Sequence, residues 1–144
     1  MDRDELKRLA AAFRVAIERC DRRVLGVAFE YFPRGACGDA SLILAEHLRR
    51  HGAGDVRYAS GVRWRGEDRR SHAWLRVDGY IVDITADQFE EIDDPVIVTT
   101  DPAWHATFLE DEHKPSTGDY RTWDDRTAHE MAGLFAIVQR EIPK

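Results

Sequence analysis

Apolar positions near the start of the chain recur at three- and four-residue intervals. Leu6, Leu9, Ala10, Phe13 and Ile17 share one side of a helical projection, so residues 3 to 19 are predicted as an amphipathic helix packed on a core. "VLGVAFEYFP" mixes apolar residues with Gly26 and Pro33 and fits either a short strand or an extended lead-in. After the loop "PRGACG", the run "DASLILAEHLRR" is apolar around most of its circumference, which predicts a largely buried central helix. Gly52 supplies a left-handed stop for it.

The period then changes from helical spacing to alternation. "DVRYASGVRW" reads as a strand, bulged near Gly61, and the charged "RGEDRR" as the turn that follows. Two more strands, 71 to 77 and 80 to 85, flank Asp78-Gly79, a dipeptide that favours a two-residue type I′ turn. "PVIVT" is a short apolar strand, and "EDEHKPSTGDYRTWDD" is polar, turn-rich and read as loop. "TAHEMAGLFAIVQREI" closes the chain as a helix with Met131, Leu134, Ile137 and Val138 on one face. No internal repeat or linker divides the pattern, so residues 1–144 are expected to form a single domain. Helices, then antiparallel strands, then a helix define an α+β class.

The Asp78-Gly79 turn sets a register in which Val77 opposes Tyr80, Leu75 opposes Val82 and Trp74 opposes Asp83. Ala73, Leu75, Val77, Tyr80, Val82 and Ile84 then form one apolar face that needs a partner layer. The other face carries His72, Trp74, Arg76, Ile81, Asp83 and Thr85. His72 and Asp83 become diagonal neighbours, with backbones about 7–8 Å apart, close enough for the side chains to meet. A one-residue slip would put them on opposite faces. A histidine bonded to an aspartate has a fixed tautomer and a stabilised cation, the support that a catalytic base needs. The competing reading is a cross-strand polar pair with no function.

A thiol changes that balance. In "RGACGDAS", Cys37 stands at the entrance to the buried helix, where unpaired N–H groups and the positive end of the macrodipole favour a thiolate. Gly35 and Gly38 allow a sharp turn and leave the sulfur approachable, and the Cys37 N–H is a candidate oxyanion donor. Asp39 opposes the thiolate by charge and is assigned to capping the helix or complementing its dipole. Arg34 is read as an exposed loop residue, and Cys20 as an inert packing thiol. Cys37, His72 and Asp83 together supply a nucleophile, a base and an orienting group.

Composition narrows the remaining classes. The net charge of -6 disfavours a nucleic-acid partner, and 43% hydrophobic residues place the chain among folded proteins. The charged start "MDRDELKRLAAAFRVAIERC" is no signal peptide, and no run spans a bilayer. Two cysteines make no disulfide framework. A cytoplasmic protein with reduced thiols is expected, although an effector exported without a cleaved signal has the same appearance.

These residues resemble the transglutaminase-like branch of the papain-like cysteine enzymes. A cysteine at a central helix start, "HAW" on a following strand and an aspartate on the next are its pattern, and "HAWLRVDGYIVD" is similar to it. The likeness extends to compact bacterial members such as the leader peptidases of lasso-peptide biosynthesis, and covers roughly residues 33 to 90. It implies a papain-like core in which the Cys-bearing helix packs on an antiparallel sheet. It further implies Cys37 as nucleophile, His72 as general base then acid, and Asp83 as orienter. Departures are the short connection from His72 to Asp83 and the continuation "DITADQF", which lacks the usual Asp-Pro. Gln88 lies after the cysteine rather than before it, so it is a supporting candidate rather than the family's oxyanion donor.

Trp74 is placed beside the base, as a shield for the His72–Asp83 bond or as a plain core aromatic. His47 and His51 lie one turn apart without other ligands nearby, and His105, His113 and His129 receive no functional role. The leading expectation is a cysteine hydrolase of amide or isopeptide bonds acting on a peptide or protein, without a cofactor. The same residues serve acyl transfer or glutamine deamidation. Two lesser alternatives are zinc held by Cys37, His72 and Asp83, and a non-catalytic binding module. Oligomeric state is left open.

Overall fold

The computed structural model describes residues 1–112 and 116–143. Helix α1 (Arg3–Arg19) begins where Asp2 accepts a bond from the Glu5 N–H, and buries Leu6, Leu9, Ala10, Phe13 and Ile17 as the spacing predicts. The ambiguous "VLGVAFEYFP" is neither strand nor extended. Its start lies in the short helix α2 (Arg22–Leu25), followed at Val27–Phe29 by a 3-10 turn, because Asp21 caps the first and Gly26 breaks the backbone between them. Helix α3 (Cys37–Arg50) is buried over most of its length and ends at His51, with Gly52 in the left-handed region at φ +103°.

The sheet has the order β4-β3-β2-β1-β5 and is antiparallel throughout. Strands β1 (Val56–Arg65) and β2 (Asp68–Val77) pair without interruption from Val56↔Val77 to Arg65↔Asp68. Most of "RGEDRR" is therefore strand rather than turn, and no bulge occurs at Gly61. Glycine is needed there for a different reason: an added Cβ would lie 2.7 Å from the Leu109 carbonyl oxygen and 3.0 Å from the Phe108 Cβ. Strand β5 (Leu109–Glu110) presses on β1 at that point and runs into the start of the stretch read as loop.

Strand β3 (Tyr80–Asp83) pairs with β2 in the register that the turn implies, Val77↔Tyr80 and Leu75↔Val82, with Asp78 and Gly79 at φ +49° and +88°. Strand β4 (Ile97–Thr99) completes that edge. Helix α4 (Asp125–Gln139) packs on α3, with Phe135 as well as Met131 and Val138 buried. His113 lies outside the described residues.

Both faces of the sheet are covered. Leu75, Val77, Val82 and Ile84 join the helices in one continuous core. Ala59, Trp74 and Ile81 on the opposite face join Phe89 and Phe108 in a second, smaller core, with Trp104 packed against it. Among the described residues no helix is long and apolar enough to cross a membrane.

Candidate functional site

The site grows from the meeting of α3, β2 and β3. His72 and Asp83 project to the side of the sheet away from the helical core, and the His72 Nε2 lies 2.6 Å from Asp83 Oδ2. A carboxylate only accepts, so the proton of this bond sits on Nε2, and Nδ1 faces the rest of the site. Both side chains are essentially inaccessible to water, at 0% and 1%.

Cys37 is the first residue of α3 and is half-buried. It lies beside the His72 ring, close enough for its charge to help raise the imidazole's pKa. Its N-cap, Ala36, supplies no side-chain bond, which leaves the first N–H groups of the helix free of a capping partner. Asp39 does not cap but lies in the first turn of α3, the position that complements the helix dipole, and burial and the charge of Glu130 push its carboxyl up. Gly35 adopts φ +77°, a turn that L side chains rarely make, just before the thiol. Gly38 packs under Tyr58, whose Oη would lie 3.1 Å from an added Cβ. Burial, then the neighbouring Cys37 and Asp39, raises the Tyr58 hydroxyl's pKa, placing this unforeseen tyrosine beside Cys37.

Gln88 comes closer than a remote supporting role requires. A 3-10 turn, Ala86–Gln88, follows β3 directly and brings its Nε2 to 3.2 Å from His72 Nδ1. That turn is anchored from α1: the buried Arg14 guanidinium donates to both Asp87 oxygens at 2.8 and 2.9 Å and to the Ile84 carbonyl at 2.6 Å.

Electrostatics separates the two members of the pair. Burial alone would lower the His72 pKa, but the adjacent Asp83 carboxylate and the Cys37 contact outweigh it and raise it to about 9. Burial would raise Asp83, but the charge of His72 and bonds from His105 and His72 hold it well below the usual carboxylate range. An imidazolium beside a carboxylate is thus the favoured state at neutral pH.

His105 is the residue that sequence reasoning missed. It opens a 3-10 turn, His105–Thr107, and its Nε2 lies 2.7 Å from the same Asp83 oxygen. Trp74, Phe89, Trp104 and Phe108 surround the His72 ring at centroid distances of 5.1 to 5.7 Å. Trp74 is therefore both a buried core residue and a wall of the site. The available signal was "WHATF", an aromatic cluster inside an otherwise polar stretch, which marks a cover rather than a free loop.

His72, Asp83 and His105 bring ligand atoms within 4.8 Å of one another, and Cys37 is not part of that group. The two imidazoles stand 2.6 and 2.7 Å from one carboxylate oxygen. Donor atoms around a tetrahedral zinc stand about 3.3 Å apart, so this spacing is that of hydrogen bonds. Among the described residues no other histidine joins such a group: His47 is buried against Phe13, and His51 bonds the His47 carbonyl. Cys20 is buried and bonds the Ala16 carbonyl.

A protein-family model, Tox-PLDMTX, described as a dermonecrotoxin of the papain-like fold, matches residues 32–137, well over half of the 144-residue chain. The match takes in all three candidate residues and runs through β5 into α4, past the segment whose resemblance was legible in the sequence. The match supports the papain-like fold and does not extend to the likeness with lasso-peptide leader peptidases. No curated protein and no solved structure matches the chain.

Proposed function

The chain belongs to the dermonecrotoxin family of the papain-like fold, which places it among cysteine-dependent enzymes, and we propose that it hydrolyses an amide bond of a peptide or protein through a thioester on Cys37. The observation that supports this reading is the juxtaposition of Cys37 with the buried His72, whose Nε2 bonds Asp83 at 2.6 Å. The Cys37 sulfur attacks the carbonyl carbon while free N–H groups at the start of α3 face the developing oxyanion. The C–N bond breaks as the His72 imidazolium gives its Nδ1 proton to the leaving amine. Water then attacks the thioester, His72 takes its proton, and the carboxylic acid departs as the C–S bond breaks, restoring the thiolate and the imidazolium. Asp83 keeps the ring oriented and balances its charge.

Access favours a polypeptide substrate. A hollow of about 680 Å³ opens beside Gly35 and Gln88, walled by Tyr31, Phe32, Pro33 and Arg34. Its apolar wall and exposed cation suit an extended segment laid across the mouth of the site.

Iodoacetamide alkylation across pH tests the nucleophile with wild type, Cys37→Ala and His72→Ala. Cys37 is expected to react faster than a free thiol near neutral pH, and His72→Ala to remove the excess. A Cys37 rate equal to that of a free thiol, unchanged in His72→Ala, overturns the reading. Mass spectrometry of a peptide panel in ¹⁸O-water, with and without an added amine, then identifies the resolving nucleophile. Heavy oxygen in the product carboxyl means hydrolysis, and an amine adduct means acyl transfer.

A further inference from the structure

Asp83 receives more donors than a partner for one histidine requires. Its Oδ1 accepts the Thr85 backbone N–H at 2.9 Å, and its Oδ2 accepts from His72 at 2.6 Å and from His105 at 2.7 Å. A carboxylate that is 1% exposed must find its donors inside the protein. Two backbone or side-chain bonds already satisfy much of that need, yet the chain brings a second imidazole from 22 residues away. The His105 ring is wedged between Trp74 and Trp104, with centroids at 5.0 and 4.8 Å, so it is held on the carboxylate and away from water.

We propose that His105 is a positioning residue of the site, whose Nε2–H clamps the Asp83 oxygen shared with His72 and so keeps Asp83 ionised and His72 Nδ1 turned toward Cys37. The inference rests on the reading of Cys37 and His72 as nucleophile and base. The two imidazoles share one acceptor, so each tempers the other's bond. Removing His105 leaves the Asp83 anion with less support, and the His72–Asp83 pair then holds its last proton to a higher pH. The groups that face His72 are Asp83 from β3, Cys37 from α3 and His105 from its turn. Gln88 adds a neutral amide, and Arg63, paired with Glu91, lies beyond the Phe89, Trp104 and Phe108 rings.

Nitrogen-detected NMR titration of the full chain tests the clamp without needing a substrate. In wild type, His105 should show the Nε2–H tautomer and His72 should titrate near 9. His105→Leu should move the His72 titration upward by about one pH unit, the size expected for one charge-assisted hydrogen bond. His105→Gln keeps an N–H donor and should return it most of the way. A folded His105→Leu whose His72 titrates as in wild type overturns the proposal. So does an Nδ1–H tautomer of His105 in wild type, a measurement that needs no variant. Alkylation of Cys37 separates the two readings. If His72 responds to His105 while Cys37 ignores His72→Ala, the reaction fails and the clamp stands. A Cys37 rate that depends on His72, with a His72 titration blind to His105, has the opposite meaning.

Discussion

The two faces of the central sheet are built from different materials. Toward the helices, Leu75, Val77, Val82 and Ile84 meet aliphatic residues of α1 and α3 in a dry core. Away from them, His72 and Asp83 are just as deeply buried, but under aromatic rings drawn from the chain after β3. Aliphatic packing needs only volume and pattern, and many sequences satisfy it. A buried ion pair needs every polar atom matched and water kept out, and each partner must come from a defined place. The first face is scaffold, and the second is a polar device enclosed by a hydrophobic cover.

Neighbouring residues on β2 allow the sharpest comparison. Leu75 and Trp74 are both 0% exposed and point to opposite faces. Leu75→Ala should cost about 2–5 kcal/mol in urea unfolding, while the alkylation rate of Cys37 per folded molecule stays near wild type. Trp74→Ala should cost about 3–5 kcal/mol and also lower that rate, because the His72 ring loses the indole stacked against it at 5.7 Å. Equal effects of the two substitutions on alkylation would mean that the faces are not functionally distinct.

What was legible in the sequence follows the same division. Helical spacing announced α1 and α3, and the Asp78-Gly79 turn fixed a register that put His72 and Asp83 on one face. Glycines around Cys37 marked the helix entrance. All of these are local signals, each contained within one element or one hairpin. For His105 the local signal, the aromatic cluster "WHATF", names no partner, because Asp83 is distant and the turn has no periodicity. Gly61 misled for a related reason. A glycine inside a strand pattern marks a bulge or a close approach, and only the position of Phe108 and Leu109 distinguishes them. The connection from Val24 to Pro33 was undecided because its apolar residues serve short helical turns, too brief to display a period.

One histidine in each layer should respond to pH with opposite sign. His47, stacked on Phe13 in the helical core, has its pKa lowered by burial to about 4, with His51 and Arg8 adding to the effect. The folded state prefers its neutral form, so its stabilising contribution is full above about 6.5 and is lost as pH falls toward 4. The loss should reach about 3 kcal/mol, and His47→Leu should remove it from the difference between wild-type and variant urea midpoints. His72 has its pKa raised to about 9, so its contribution is full below about 6.5 and disappears as pH rises through 9. His72→Gln should flatten that alkaline decline while the His47-dependent loss between about 6.5 and 4 stays in place. A wild type whose stability declines on one side alone would remove the contrast between the layers.

The smallest expected effect concerns the outer surface of the cover. Arg63 on β1 places its guanidinium 4.8, 5.7 and 4.7 Å from the Phe89, Trp104 and Phe108 ring centres. Its charge is met by Glu91, which also accepts from the Trp104 indole N–H at 3.2 Å. The cation closes the aromatic layer by spreading a flat, weakly hydrated group over three rings at once, whereas on the helical side Arg14 and Arg50 each cover a single ring, Phe32 and Phe135. Arg63→Ala should cost about 1 kcal/mol or somewhat more in urea unfolding. Arg63→Lys should recover little of it, since an ammonium restores the charge without the planar stacking. Salt discriminates further. If the Glu91 pair alone mattered, the cost would vanish at high ionic strength, whereas a stacking contribution persists. A full rescue by lysine, or a cost abolished by salt, would reduce Arg63 to a surface ion pair and leave the rings to exclude water unaided.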